Sequence, residues 1–360
     1  MATRTDVIGA PLARTGPLER VRSRPAILLV GSVVALFVVL ILGVALGSVA
    51  VAPADTVAIL AHRLLGLDLG MTWTPAAETI VMDLRLPRVL AAMVVGLGLA
   101  VAGVTFQGIL RNPLADPYVL GTASGAALGA AIAVLIPIRI ALLGFGLVQV
   151  LAFVGALLAV TAVYRFSRTG TLAPLTSLLL TGYAVGSLLA AGLAMAMYLA
   201  GSNIRQIFFY LLGSFAQSSW PQLLIGLPVI VIGSGLIMAR ARSLNALLLG
   251  DEAAVHLGLD VKRERMILLA LASLVTAAAV ALAGLIGFVG LVVPHVVRLV
   301  VGPNARLVLP LSALFGASFL VLADLVARIP GELPVGVITA IVGAPVFVVL
   351  LRRFRGGYEV

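Results

Sequence analysis

The stretch VLAAMVVGLGLAVAGVTFQGI, residues 89–109, carries no charge and never alternates polar with apolar positions. At about 1.5 Å per residue a helix of this length crosses the ~30 Å hydrocarbon core of a bilayer. Hydrocarbon offers no water to a backbone, so a spanning segment must satisfy its own N–H and C=O groups as a helix or a closed barrel. A barrel strand is about ten residues long and alternates in polarity, which this run does not. It predicts a transmembrane helix.

Outward from it, runs of the same kind recur at about 26–50, 118–136, 141–163, 175–200, 221–239, 266–284, 286–301, 307–326 and 334–351. The expectation is an all-α polytopic membrane protein of about ten transmembrane helices. Residues 1–25 form an N-terminal tail, 26–352 the ten-helix domain and 353–360 a C-terminal tail. Hydrophobic residues are 62% of the chain and charged ones 11%, against about 25% charged in soluble domains. There is too little polar surface to coat a soluble protein. The basic segment before Ala26 and the sequence Ala50-Val51-Ala52 imitate a signal peptide and its cleavage site. The apolar run is far longer than the usual 7–15 residues of such a peptide, so it reads as a retained first span.

The net charge of +10 belongs to orientation rather than to nucleic acid. With the N-terminus inside, Arg4, Arg14, Arg20, Arg22, Arg24, Arg111, Arg165, Arg168, Arg240, Arg242, Lys262, Arg263, Arg265, Arg298, Arg306, Arg352, Arg353 and Arg355 all fall on the cytoplasmic side. Outside fall only Arg63, Arg85, Arg88, Arg139, Arg205 and Arg328. This threefold excess follows the positive-inside rule and predicts both termini in the cytoplasm, where anionic lipid meets the basic loops.

Enzyme chemistry finds no foothold. There is no cysteine, hence no disulfide, thiolate metal site or cysteine nucleophile. His62, His256 and His295 form no metal-binding pattern. The single lysine, Lys262, lacks the glycines and Ser/Thr of a phosphate-binding loop, so this chain cannot hold ATP in that manner. An ion-coupled secondary transporter would place acidic residues on several spans, whereas only Asp324 falls within one. Asp324, near a span's end, reads as capped or arginine-paired rather than as a proton relay. Met195, Met197 and Tyr198 read as apolar packing. Gly43/Gly47, Gly125/Gly129 and Gly182/Gly186 have the small-xxx-small spacing that lets helix backbones approach closely.

Three blocks stand out. They are Arg85-Leu86-Pro87-Arg88, the run from Gln107 through Arg111-Asn112-Pro113-Leu114-Ala115-Asp116-Pro117 to Ala126, and Gly284-Leu285-Ile286-Gly287-Phe288-Val289-Gly290 through Pro294-His295, continuing to Gly343-Ala344-Pro345. In order and separation they resemble the FecCD family, the permeases of type II ABC importers for iron–siderophores, haem and cobalamin, over about residues 30–352. The resemblance implies a permease dimer, most simply a homodimer, with the pathway along its axis. It also implies two cytoplasmic ATPase subunits that hold ATP and Mg, an extracytoplasmic substrate-binding protein, and the bacterial cytoplasmic membrane as location. No cofactor or metal is implied in this chain. The expected cargo is an iron–siderophore, ahead of haem or cobalamin; permeases for other metal ions are a nearer alternative than an ion-coupled carrier.

The resemblance also assigns residues. Leu244, Asn245, Gly250, Glu252, Ala253 and Gly258, within the 240–265 segment, match paired coupling helices that seat in the ATPase, although the I-x-L-P that follows in the importer pattern is missing here. Asn112 and Leu114, with Leu175 and Thr176, match the cytoplasmic gate. Arg85, Arg88 and Arg328 match arginines that meet acidic residues of the binding protein. Pro87 biases Leu86 toward an extended conformation, which predicts a short turn between Arg85 and Arg88.

Overall fold

The computed structural model describes residues 25–67, 70, 73–138, 141–142, 145–168, 174–329 and 331–355. The N-terminal tail through residue 24 and the C-terminal tail from residue 356 lie outside the described residues, as does Arg139. In chain order the helices are α1 Pro25–Ala45, α2 Pro53–Leu65, α3 Pro75–Thr79, a π turn Ile80–Arg85, α4 Leu86–Ile109, α5 Thr122–Leu135 and α6 Leu147–Ser167. Then follow α7 Leu175–Leu199, α8 Ile204–Leu212, α9 Trp220–Ala239, α10 Ala241–Leu248, α11 Asp251–His256, α12 Val261–Ala283, α13 Val289–Val301, α14 Ala305–Arg328 and α15 Val335–Arg355. The strands are a two-residue pair, Ala141–Leu142 against Phe145–Gly146.

Seven of these helices are long and apolar enough to cross a membrane, and the shorter apolar segments Thr122–Leu135, Val289–Val301 and Val335–Leu350 fill the remaining predicted positions. Several boundaries shift, among them the start of the span expected at 266, which lies at Val261. The first span ends at Ala45, not residue 50, and the fourth starts at Leu147 because the two-residue β pair occupies the residues before it. The second begins much earlier, as one continuous helical stretch from Pro75 to Ile109.

That continuity corrects the expectation around Pro87. Leu86 is helical, with φ −61° and ψ −51°, and Pro87 lies in the first turn of α4. Proline has no N–H to give to the carbonyl four residues back and its ring crowds that carbonyl. The preceding turn widens into Ile80–Arg85 π geometry, a known way to accommodate such an interruption within a helix. Arg85 and Arg88 therefore project from one helix wall, not from a turn.

Helix α4 is the centre of the bundle; from Leu86 to Ile109 nearly every residue is buried. It packs against α14, α12, α13 and α9. Small residues allow the approach: a Cβ on Gly103 would fall on the Gly290 carbonyl of α13. On one flank α5 and α6 meet so closely that a Cβ on Gly125 or Gly129 would strike the backbone of Gly155 or Leu151. Glycine pairs are the interface there because lipid gives no hydrophobic drive and dispersion between backbones must supply the attraction. The opposite flank is α1, whose Val30, Val34 and Phe37 point outward as lipid-facing residues should. Met195 and Tyr198 are likewise exposed on α7, so the packing role expected of them is not met within the chain.

Between α12 and α13 the chain crosses unwound from Gly284 to Phe288, which has φ +70°. Irregular backbone at this depth survives only where protein satisfies it. The Tyr118 hydroxyl donates to Ile286 O at 3.0 Å and accepts from Ile286 N at 3.2 Å. Within α13, Pro294 leaves the Gly290 carbonyl without its helical donor. The Gln107 amide of α4 donates to that carbonyl at 3.3 Å and to Leu291 O at 3.2 Å.

Candidate functional site

One end of the bundle, external by the charge sorting, holds a buried ionic cluster. Arg85, Arg88 and Arg328 are 5%, 9% and 3% exposed. Asp324, fully buried on α14, accepts from Arg88 Nε at 3.1 and 3.2 Å and from Arg88 Nη2 at 3.0 Å. One turn later on the same helix, Arg328 Nε donates to Asp324 Oδ2 at 2.9 Å, and its Nη2 bonds the same oxygen. Arg328 Nη1 also donates to Gly43 O of α1 at 3.0 Å. Arg85 is satisfied by the carbonyls of Val44 and Ala45, which end α1, and of Val49 beyond it. Asp324 is thus arginine-paired. The remaining partner is Glu332, whose carboxylate meets Arg88 Nη1 at 2.6 Å from an exposed position after α14. The arginines assigned to docking are here internal braces tying α1, α4 and α14 together.

The other end carries the residues that the resemblance assigns to coupling and to the gate. The 240–265 segment forms two short helices: α10, with Leu244 and Leu247 buried against the bundle, and α11, with Ala254 buried. Gly250, at φ +117°, makes the elbow between them, and Gly258, at φ +79°, ends the second. Neither conformation suits a residue with a Cβ. Glu252 is exposed and Ala253 half-buried. Leu249, Val255 and Leu257 leave an apolar face open at the elbow. Asn245 is fastened inward: its Nδ2 donates to Asn304 Oδ1 at 2.9 Å and its Oδ1 accepts from Ala305 N at 2.7 Å, at the head of α14.

The segment after α4 is a compact turn. Asn112 Oδ1 accepts from Leu114 N at 2.9 Å, and Asn112 N donates to Gln107 O at 3.1 Å. Both Asn112 and Leu114 are exposed. Leu175, half-buried, and Thr176, exposed, open α7. Two turns along, Gly182 lies against the backbone of Val119 and Leu120, which sets α7 beside the chain that leaves the Asn112–Leu114 turn. Sequence reasoning missed Arg111. It closes α4 in the left-handed region at φ +48°, its Nε donates to Leu247 O at 2.9 Å, and its Nη2 pairs with Asp251. Arg265 of α12 holds the same carboxylate oxygen at 2.7 Å. Partial burial by itself would raise the Asp251 pKa, but Arg265 and Arg111 outweigh it and hold the carboxyl below its ordinary value. Near the turn, burial pushes Asp116 up to about 6, countered only in part by the Tyr118 N–H.

Among the described residues no three His, Cys, Asp or Glu side chains gather as metal ligands. The arrangement binds elements together at two ends of a bundle.

The FecCD transport family model matches residues 35–353. The cobalamin import system permease protein of Halobacterium salinarum is 49% identical over 77% of this chain and 74% of its own length. The hemin transport system permease protein of Yersinia pestis is 42% identical over 76% of this chain and 83% of its length. Among solved structures, a metal-chelate type ABC transporter in an inward-facing conformation superposes with a TM-score of 0.78 at 30% identity, covering 90% of this chain and 98% of that one. A mainly helical bundle with seven helices long and apolar enough to cross a membrane agrees with these relatives: the chain belongs to the FecCD transport family and is the membrane-spanning permease of an ABC importer, whose ATPase is a separate chain.

Proposed function

We propose that two copies of this chain form the pathway of an importer that carries a bulky metal chelate across the bacterial cytoplasmic membrane by alternating access. ATP binding and hydrolysis in two partner subunits move α10 and α11, and the Asn112–Leu114 and Leu175–Thr176 segments open and close the inner end. The observation that carries this reading is the elbow at Gly250: two short helices with buried inner faces and an open apolar outer face at Leu249, Val255 and Leu257. Such a helix face suits a groove on a partner. A ligand biases this cycle only by differing in affinity between its states. Of the expected cargoes, a corrinoid moves ahead of the siderophore, since the more similar relative named for a cargo is the cobalamin permease. On the outer face the binding protein reaches Arg88 by displacing Glu332, the exposed member of the cluster. Glu332→Gln should then tighten its docking.

The test is uptake into proteoliposomes containing the chain, its ATPase and its binding protein. Labelled cyanocobalamin, haemin and a ferric siderophore are offered in turn, with ATP inside. ATP-dependent accumulation of a chelate supports the reading. Accumulation of free metal ions alone, or uptake driven by an ion gradient without ATP, sinks it.

A further inference from the structure

We infer that Arg111 is the positioning residue that carries displacement of the α10–α11 elbow into the Asn112–Leu114 turn; this rests on the reading of residues 244–258 as the ATPase seat. Among the described residues the elbow is attached to the bundle through Leu244, Asn245, Arg111 and the Arg265–Asp251 pair. Leu244 occupies the space that a Cβ on Gly108 would fill, so α10 abuts the last turn of α4. Asn245 bonds the head of α14. Among the described hydrogen bonds and ion pairs, those of Arg111 are the ones that join the elbow to the turn itself.

Its placement suits transmission. One guanidinium nitrogen bonds Leu247 O at the carboxyl end of α10, where the helix presents unsatisfied carbonyls and favours a cation. The other pairs with Asp251, the first residue of α11. A single side chain thus grips both helices at their junction. Arg111 is itself held in the left-handed region, bonded from its N–H to Gly108 O, and Asn112 beside it bonds back to Gln107. A pull on the guanidinium therefore moves the backbone that presents Asn112 and Leu114, with no flexible residue between.

The ties are also separable. Asp251 keeps Arg265 when Arg111 is removed, and α10 keeps Leu244 and Asn245. Loss of Arg111 should therefore detach the turn while leaving the seat in place. The charged groups facing this point are Asp251 and Arg265, with exposed Glu252 beyond them.

The experiment uses the reconstituted importer with ATPase and binding protein. Because the chain has no cysteine, a spin label at Leu114→Cys reports the turn alone. In the parent protein its spectrum should change on ATP binding. In Arg111→Gln the ATPase should still co-purify, the spectral change should vanish, and cargo imported per ATP hydrolysed should fall at least ~10-fold. Arg111→Lys, which keeps the charge but not the forked donor geometry, should fall between. A spectral change and a transport ratio like the parent's in Arg111→Gln would overturn the inference, as would loss of the ATPase from that variant. If instead Glu252→Arg and bulky replacements at Leu249 leave ATPase assembly and transport intact, the seat reading fails on its own account.

Discussion

Replacing Asp324 by Asn perturbs the outer cluster with almost no change of volume. The carboxylate is shared by two guanidiniums that are themselves under a tenth exposed, through Arg88 contacts of 3.0 to 3.2 Å and an Arg328 contact of 2.9 Å. At an effective dielectric of about 20 and charge centres about 4 Å apart, each pairing is worth roughly 4 kcal/mol before desolvation. Arg88 retains Glu332 in direct contact, whereas among the described hydrogen bonds Arg328 retains that to the Gly43 carbonyl. Breaking a buried pair from one side typically costs about 3–5 kcal/mol, because a charge is left uncompensated. We expect Asp324→Asn to lose about 3 kcal/mol or more, roughly a 150-fold drop in the folded ratio. The triple change Asp324→Leu, Arg88→Met and Arg328→Met removes the two guanidiniums that Asp324→Asn strands, leaving Arg85 on its carbonyls and Glu332 exposed, so it should recover most of that loss, to within about 1–2 kcal/mol of the parent. Denaturing-detergent titrations followed by circular dichroism in micelles measure both. A single variant within about 1 kcal/mol of the parent, or a triple as unstable as the single, would show that charge compensation is not what holds α4 to α14.

Gln107→Leu should destabilise the chain by about 1–3 kcal/mol, since the Gly290 carbonyl that Pro294 exposes on α13 loses its donor; Gln107→Glu should not restore that bond, having no N–H to offer, and the same detergent titration reads both. Asp116, with its pKa raised to about 6 in the folded chain, binds more protons folded than unfolded between about pH 4 and 6. Its contribution is therefore fully present below the unfolded value and lost as pH rises through about 6, so stability should fall across that window by at most about 1–3 kcal/mol. Asp116→Asn should flatten the profile; an unchanged slope would count against a buried, unpaired carboxylate.

What the sequence alone determined was the solvent, the class of structure and the division of labour. Length and polarity of a run such as 89–109 are local properties, and hydrocarbon enforces backbone satisfaction segment by segment, so helix positions could be read from composition. The lack of a phosphate-binding loop likewise sent ATP hydrolysis to another chain, and the glycine spacing at Gly125 and Gly129 announced a close helix contact. The tertiary structure decided which polar groups meet. Asp324 lies 236 residues from Arg88, Gln107 lies 183 from Gly290, and Arg111 lies 140 from Asp251. No periodicity links such pairs, because they are set by how α4 nests among α10, α13 and α14. The same packing turned Arg85, Arg88 and Arg328 inward: near the end of a crowded bundle, a carboxylate and helix-end carbonyls satisfy guanidiniums that sequence position alone placed on the surface.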